Sequence, residues 1–130
     1  MKREIKFRGK RKTDGEWLYG YYFVNRGLHF IVTDGLAPAG NTFKDYEVDP
    51  ETVGQYTGMK DCKGEEIFEG DIIEIPETDF NARIVGTVNY EDDCFCITAP
   101  NGHWDLCWNL WKLIATVIGK IHDNPELLEL

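Results

Sequence analysis

Short runs of β-branched and aromatic residues, each cut off by Gly, Asn, Asp or Pro, recur along almost the whole chain, and this leaves little room for anything but strands joined by turns. Over residues 3–8, Ile5 and Phe7 alternate with Lys6 and Arg8, which predicts a half-buried strand with the two cations on its solvent face. Residues 16–24, Glu-Trp-Leu-Tyr-Gly-Tyr-Tyr-Phe-Val, predict a long strand, with Gly20 marking a bulge or bend. Asn25-Arg26-Gly27 is a hairpin turn and Leu28–Val32 its returning partner. A loop follows from Leu36 to Asp45, anchored only by Phe43, and this is the segment expected to be most mobile. Two strands are expected at Val53–Tyr56 and Asp71–Ile75, the second with Ile73 and Ile75 inward and residues 84–90 as its antiparallel neighbour in a small barrel-like part. A meander continues through 94–98, the Asn101-Gly102 turn signal and 103–106. Residues 106–112 fit no single period, and 115–121 read as the last strand. Asn124-Pro125 then opens a short C-terminal helical turn. The expectation is mainly β, one domain over residues 1–130, with antiparallel sheets.

Composition supports one core. With 130 residues, 42% hydrophobic and 13% aromatic, the chain has ample apolar material to bury and is too hydrophobic for disorder. No run approaches the ~18 apolar residues of a membrane span, and the N-terminus alternates charge with apolar side chains, so a cytoplasmic location and no membrane partner are expected. The four cysteines then read as reduced thiols. The net charge of -9 is unevenly spread: residues 1–12 hold seven of the 14 bases against one acid, leaving seven bases and 22 acids beyond. The acidic body repels nucleic acid, whereas the basic segment suits a phosphate backbone or an acidic surface, its own included.

Three segments resemble the YopX family: Arg3–Arg8 followed by Trp17 and Gly20-Tyr21; Thr52–Gly58 through Glu69-Gly70-Asp71-Ile72; and Val117-Ile118-Gly119 to Asn124–Leu128. Their order and spacing extend over nearly the whole chain. The resemblance implies an all-β fold of bent, coiled sheets, an origin in phages or prophages, and no established biochemical activity. Fold alone gives no mechanism, so function has to be sought in sites.

Four constellations are candidates. The basic segment Lys2, Arg3, Lys6, Arg8, Lys10, Arg11 and Lys12 is a candidate nucleic-acid contact, against the alternative that its cations occupy a strand's solvent face and balance the acidic body. The family motif Gly54, Tyr56, Thr57, Gly58, Gly64, Glu69, Gly70 and Asp71 lacks a Walker-type arrangement and precedes a strand, so its glycines are read as turn formers. Cys94, Cys96, His103 and Cys107 form a conceivable zinc set without the usual paired C-x2-C knuckles, and reduced core cysteines are the simpler reading. Trp104, Trp108 and Trp111 are core, or an aromatic anchor for a partner if exposed beside the 36–45 loop.

The acids Glu65, Glu66, Glu69 and Asp71, and Glu91, Asp92 and Asp93, cluster in turns. His29, His103 and His122 show no spacing to a nucleophile. The reading is therefore a non-catalytic binding or accessory module that uses a protein surface and no cofactor. Nucleic-acid binding through the basic segment is the alternative, and a metal-dependent enzyme a more remote one. A small homo-oligomer is compatible with exposed sheet edges.

Overall fold

The computed structural model describes residues 5–32, 43–79, 82–91, 94–100, 102–105 and 114–128. Among the described residues the fold is mainly β, with two antiparallel sheets, no closed barrel and no helix as long as seven residues. The chain divides into two compact units, residues 1–56 and 57–130.

In the first unit, β1 (Phe7–Lys10), β2 (Trp17–Asn25) and β3 (Leu28–Val32) lie in the order β3-β2-β1, and the start of β4 (Gly54–Lys60) takes the other side of β1. Phe7 is opposite Gly20 on β2 and Gln55 on β4. The β2–β3 hairpin closes between Asn25 and Leu28, so its loop is Arg26-Gly27. Both loop residues have positive φ, 54° and 78°, as the twist-matched two-residue turn requires. Arginine tolerates that backbone less well than asparagine. Arg26→Asn is expected to raise stability by about 0.5 kcal/mol, read as a higher urea midpoint, and a lowered midpoint would contradict the turn geometry.

Behind the hairpin, Glu47 and Val48 bridge two strand ends at once. Val48 N–H donates to His29 O at 2.9 Å, while Lys12 N–H donates to Glu47 O and Asp49 N–H to Lys10 O, both at 2.9 Å. Val48 is thereby sealed against Leu18 and Ile31, with Phe7, Tyr22 and Val53 packed around them. Single 3-10 turns flank this bridge at Phe43–Tyr46 and Pro50–Thr52. Asp49 caps the second through its side chain, so Asp49-Pro50 starts a helical turn. Of the loop expected at 36–45, residues 36–42 lie outside the described residues.

In the second unit β4 continues beside β5 (Glu66–Phe68). A five-stranded sheet then runs in the order β10-β6-β7-β8-β9, with β6 (Asp71–Ile75), β7 (Ile84–Glu91), β8 (Cys94–Ala99), β9 (Gly102–Asp105) and β10 (Thr116–Lys120). Its core joins Ile67, Ile73, Ile75, Ile84, Val88, Ile97 and Ala115. Ile72 is buried as fully as Ile73, so β6 is covered on both faces. The pairing of β6 with β7 expected in a barrel-like part lies instead in this open sheet.

Two local expectations also shift. Ala99 pairs with Gly102, so the β8–β9 connection is Pro100-Asn101 and Gly102 belongs to the strand. At the C-terminus Pro125–Leu128 forms the expected helical turn, but Asn124 Oδ1 reaches back to accept Lys120 N–H at 3.2 Å.

Candidate interaction surface

The basic segment is largely absorbed into the first unit. Lys2 and Arg3 lie outside the described residues. Lys6 Nζ sits 5.3 Å from the Tyr56 ring centroid, and Arg8 and Lys10 sit 4.9 Å and 5.7 Å from that of Trp17. Arg8 is 3% exposed, which corrects the expectation of a solvent-facing cation. The Arg8 guanidinium is stacked on the Trp17 ring, which lies on the neighbouring strand β2, and this stacking covers it. Ile5, expected inward, is exposed.

Arg11 makes a two-pronged contact with Asp14, Nε to Oδ1 at 2.9 Å and Nη2 to Oδ2 at 2.7 Å, and a third contact with Glu16 at 3.2 Å. Lys12 Nζ is 3.0 Å from Glu47. The Arg11 fork and the Glu16 N–H hold the Asp14 carboxyl down to about 2. A depressed folded-state pKa stabilises above the unfolded value near ~3.9, and that contribution is lost as pH falls through the folded value. In Arg11→Gln, Asp14 is expected by carbonyl NMR to titrate at a higher pH than in the wild type, still below the free value of ~3.9 because the Glu16 N–H bond remains. An unchanged midpoint would show that the fork is not the cause.

Of the glycine-rich motif, Gly54, Tyr56, Thr57 and Gly58 lie on β4, Gly64 in a bend, Glu69 and Gly70 in a turn, and Asp71 opens β6. Gly58, Gly64 and Gly70 have φ of 85°, 83° and 87°. Gly54 and Tyr56 are buried at the start of β4, and Glu69 is half-buried in the turn before β6. Thr57 Oγ1 donates to Ile67 O at 2.8 Å, and Asp71 Oδ2 accepts Phe68 N–H at 2.7 Å. Gly70 gives its N–H to Val88 O and takes Ile121 N–H on its own carbonyl. Asp61, outside the expected motif, accepts three backbone N–H groups beside it. Oδ1 accepts Lys63 and Glu65 N–H, both at 2.9 Å, and Oδ2 accepts Val117 N–H at 2.9 Å across 56 positions of sequence.

Of the conceivable zinc set, Cys94 is half-buried and Cys96 fully buried, its Sγ 3.3 Å from Asn89 Oδ1. Backbone register sets His103 opposite Thr98 and Asp105 opposite Cys96. Cys107 lies outside the described residues, as do Trp108 and Trp111. Among the described residues no group of three His, Cys, Asp or Glu is placed to hold a metal. Trp104 lies on β9 by its backbone.

The residues that the sequence reading passed over are those of the β2–β3 hairpin. Tyr19, Tyr21, Phe23, Val24 and Leu28 are all exposed, Tyr21 most, at 65%. Alternation places Tyr19, Tyr21 and Phe23 on one face, and Leu28, two residues from Phe30 opposite Phe23, joins them. Arg8 and Lys10 extend that face across β1, opposite Tyr19 and Trp17. Phe23 stacks on Phe30 with ring centroids 5.0 Å apart. Val24 is bare on the other face, near the Tyr22 hydroxyl and His29 Nδ1, which share a 2.6 Å hydrogen bond. Residues 17–32 contain Arg26 and not one of the chain's 23 acids, and that was the signal available in the sequence.

Comparison with known proteins places this geometry in a family. A match to the family described as YopX protein spans residues 6–129. The crystal structure of protein EF1440 from Enterococcus faecalis is 27% identical, with a TM-score of 0.63 over 98% of this chain and all of that one. Protein yopX from Bacillus subtilis is 19% identical, with a TM-score of 0.59 over 96% of each chain, a likeness of fold alone. No curated protein matches the chain. No described helix is long and apolar enough to cross a membrane.

Proposed function

The chain belongs to the YopX family, a family of unknown function, and from that premise we propose that it is a non-catalytic binding module acting through a protein–protein surface, the exposed face of the β2–β3 hairpin. The observation that carries this reading is the concentration of bare apolar side chains there. Four of the seven exposed large hydrophobics among the described residues, Tyr19, Tyr21, Phe23 and Leu28, lie on that face. A strongly acidic protein has charge in plenty to cover its surface, and contiguous apolar area without acids marks interaction sites. Tyr and Arg are also the residue types that dominate binding energy. Two buried carboxylates, Asp61 and Asp71, accept backbone N–H groups, which supports a structural role for them rather than a catalytic one. The family resemblance supports a phage or prophage origin and work in the cytoplasm as an accessory protein.

The experiment is site-specific photo-crosslinking in cells, with benzoylphenylalanine at Tyr21 and, as control, at exposed Glu77. A discrete protein adduct from position 21 and none from 77 is expected. Equal or absent crosslinking at both sites goes against the reading.

One observation favours a second reading. Tyr19, Tyr21 and Phe23 form an aromatic row beside Lys10, an arrangement on which bases of a single strand can stack. Since Arg11 and Lys12 contact acids and Arg8 is buried, few phosphates would be neutralised. The salt dependence of binding to labelled single-stranded DNA would then be shallow, a slope of magnitude below about 2. Absence of binding at low salt removes this reading.

A further inference from the structure

Resting on the reading of the hairpin as a docking site, we propose that its tip, Phe23 to Leu28, enters a cleft of the partner protein as a two-sided wedge, with apolar walls against both faces of the tip and a carboxylate at the floor that receives Arg26. Three observations meet at these six residues: exposure on both faces, a single cation at the turn, and a strained backbone under that cation.

A hairpin that docks flat presents one apolar face and keeps the other against its own core. Nearer its base this hairpin does so: Tyr21 is exposed, while Leu18, Tyr22 and Ile31 of the opposite face pack together in the first unit. At the tip the second face is bare as well. All six residues from Phe23 to Leu28 are exposed. Phe23 and Leu28 stand on one face, and Val24, 52% exposed, stands on the other with its pair His29. One flat partner surface would cover Phe23 and Leu28 and leave Val24 in water. A cleft removes all three from water at once, and apolar side chains left bare on both sides of a finger call for that.

The floor follows from Arg26. Among the described residues it is the one non-glycine with positive φ, 54°, in a turn that asparagine, aspartate or glycine would hold with less strain. Strain kept at an exposed position points to a use for the side chain. The turn Arg26-Gly27 is the outermost point of the hairpin, so the guanidinium leads the tip into whatever receives it. Among the described residues no carboxylate pairs with it, and residues 17–32 contain none of the chain's 23 acids. A carboxylate is the group that takes a guanidinium in a two-pronged contact inside a protein cleft. A lipid bilayer would also surround the tip, but Arg26 would then be the first group driven toward hydrocarbon, where a cation is costly. In an acid-floored cleft the same residue becomes a contact.

The test is photo-crosslinking in cells with benzoylphenylalanine at Val24 and, separately, at Leu28, one on each face, with the captured peptides identified by mass spectrometry. Both positions are expected to capture the same protein, at two different segments of it. Arg26→Glu is expected to lower both yields about fivefold or more, and Arg26→Lys to lower them no more than about threefold. Arg26→Asn, which suits the turn, separates loss of the cation from loss of the fold: both yields should fall while the unfolding midpoint rises. Capture from only one of the two faces overturns the wedge and leaves the hairpin as a one-faced docking surface. Yields indifferent to Arg26→Glu overturn the acidic floor, and with it the proposal. Pelleting of the purified protein with phosphatidylserine vesicles, without capture of any protein, makes the occupant a membrane and overturns the proposal as well. If positions 21, 24 and 28 all capture nothing, the wedge and the docking face fall together.

Discussion

Asp61→Ala is expected to destabilise the second unit by about 4 kcal/mol, because three backbone N–H groups lose a charged acceptor at one stroke and hydrogen bonds to charged groups contribute about 1.5–3 kcal/mol each before solvent replaces some of them. Asp61 is 5% exposed, and its two oxygens divide the work. Oδ1 closes the Lys63–Glu65 turn, and Oδ2 ties that turn to Val117 at the β10 bulge. The neighbouring bond from Cys62 N–H to Ala115 O is expected to loosen with it. Asp61→Asn is the informative companion. An amide keeps one acceptor oxygen and presents donors where the second stood, so one of the two connections survives and the cost should be about half. Urea unfolding with an unchanged slope measures both values, and hydrogen exchange at the Val117 amide reports which connection opened. A loss below about 1 kcal/mol for alanine would mean that the turn and β10 hold without the carboxylate.

Gly86→Ala is expected to cost about 3 kcal/mol, the upper part of the usual range for overpacking a filled core. A Cβ at this position would lie 2.7 Å from Ile97 Cγ2 and 2.8 Å from the carbonyl oxygen of Thr98. The first is a fully buried side chain and the second is backbone of β8 in the middle of the sheet, so neither can yield without breaking the β7–β8 pairing. Gly119→Ala provides the contrast. Its Cβ would also come within 2.8 Å of two atoms, but these are the ends of the Asn124 and Leu127 side chains, and moving them gives up only the Asn124 Oδ1 bond to Lys120 N–H and no strand pairing. The expected cost there is about 1 kcal/mol. Equal losses at the two glycines would show that the close approach to Thr98 O is not what requires a glycine at 86.

The contrast between these sites shows what the sequence made legible. Strands β2, β3, β6, β7, β8 and β10 follow from local pattern, because alternation and β-branched content act over a few neighbours. Arg8 was misplaced because the period-2 rule assigns a face but does not say what covers it, and here the Trp17 ring of β2 stacks on the guanidinium. β5, three residues long between two glycine turns, has too few positions to show a period. Of the turn expected at Pro100-Asn101-Gly102, Gly102 instead pairs with Ala99, because the Asn-Gly signal is statistical whereas the register of β8 and β9 is fixed by pairing along the strands.

The site was less legible than the fold. The partner of Asp61 lies 56 residues away and no local rule connects them. Tyr19, Tyr21 and Phe23 read as good strand formers, and exposure is a property of what else packs on the face, which a single strand's sequence does not contain. The acid-free stretch from Trp17 to Val32 was nevertheless visible, and in a chain this acidic it was a stronger pointer to a surface than the cluster of basic residues before it. Most of the latter turn out to neutralise acids or stack on rings within their own unit.

The most direct measurement of the central claim is tyrosine footprinting by nitration, read residue by residue by mass spectrometry, on dilute purified protein and on the same protein in the cells that make it. In dilute solution Tyr21 should react fastest, with Tyr19 and Tyr90 also modified and buried Tyr46 and Tyr56 spared. In cells Tyr19 and Tyr21 should be protected together while Tyr46 and Tyr56 remain unmodified. Full reactivity of Tyr21 in both settings would contradict the account, since a docking face that is never covered is only exposed surface.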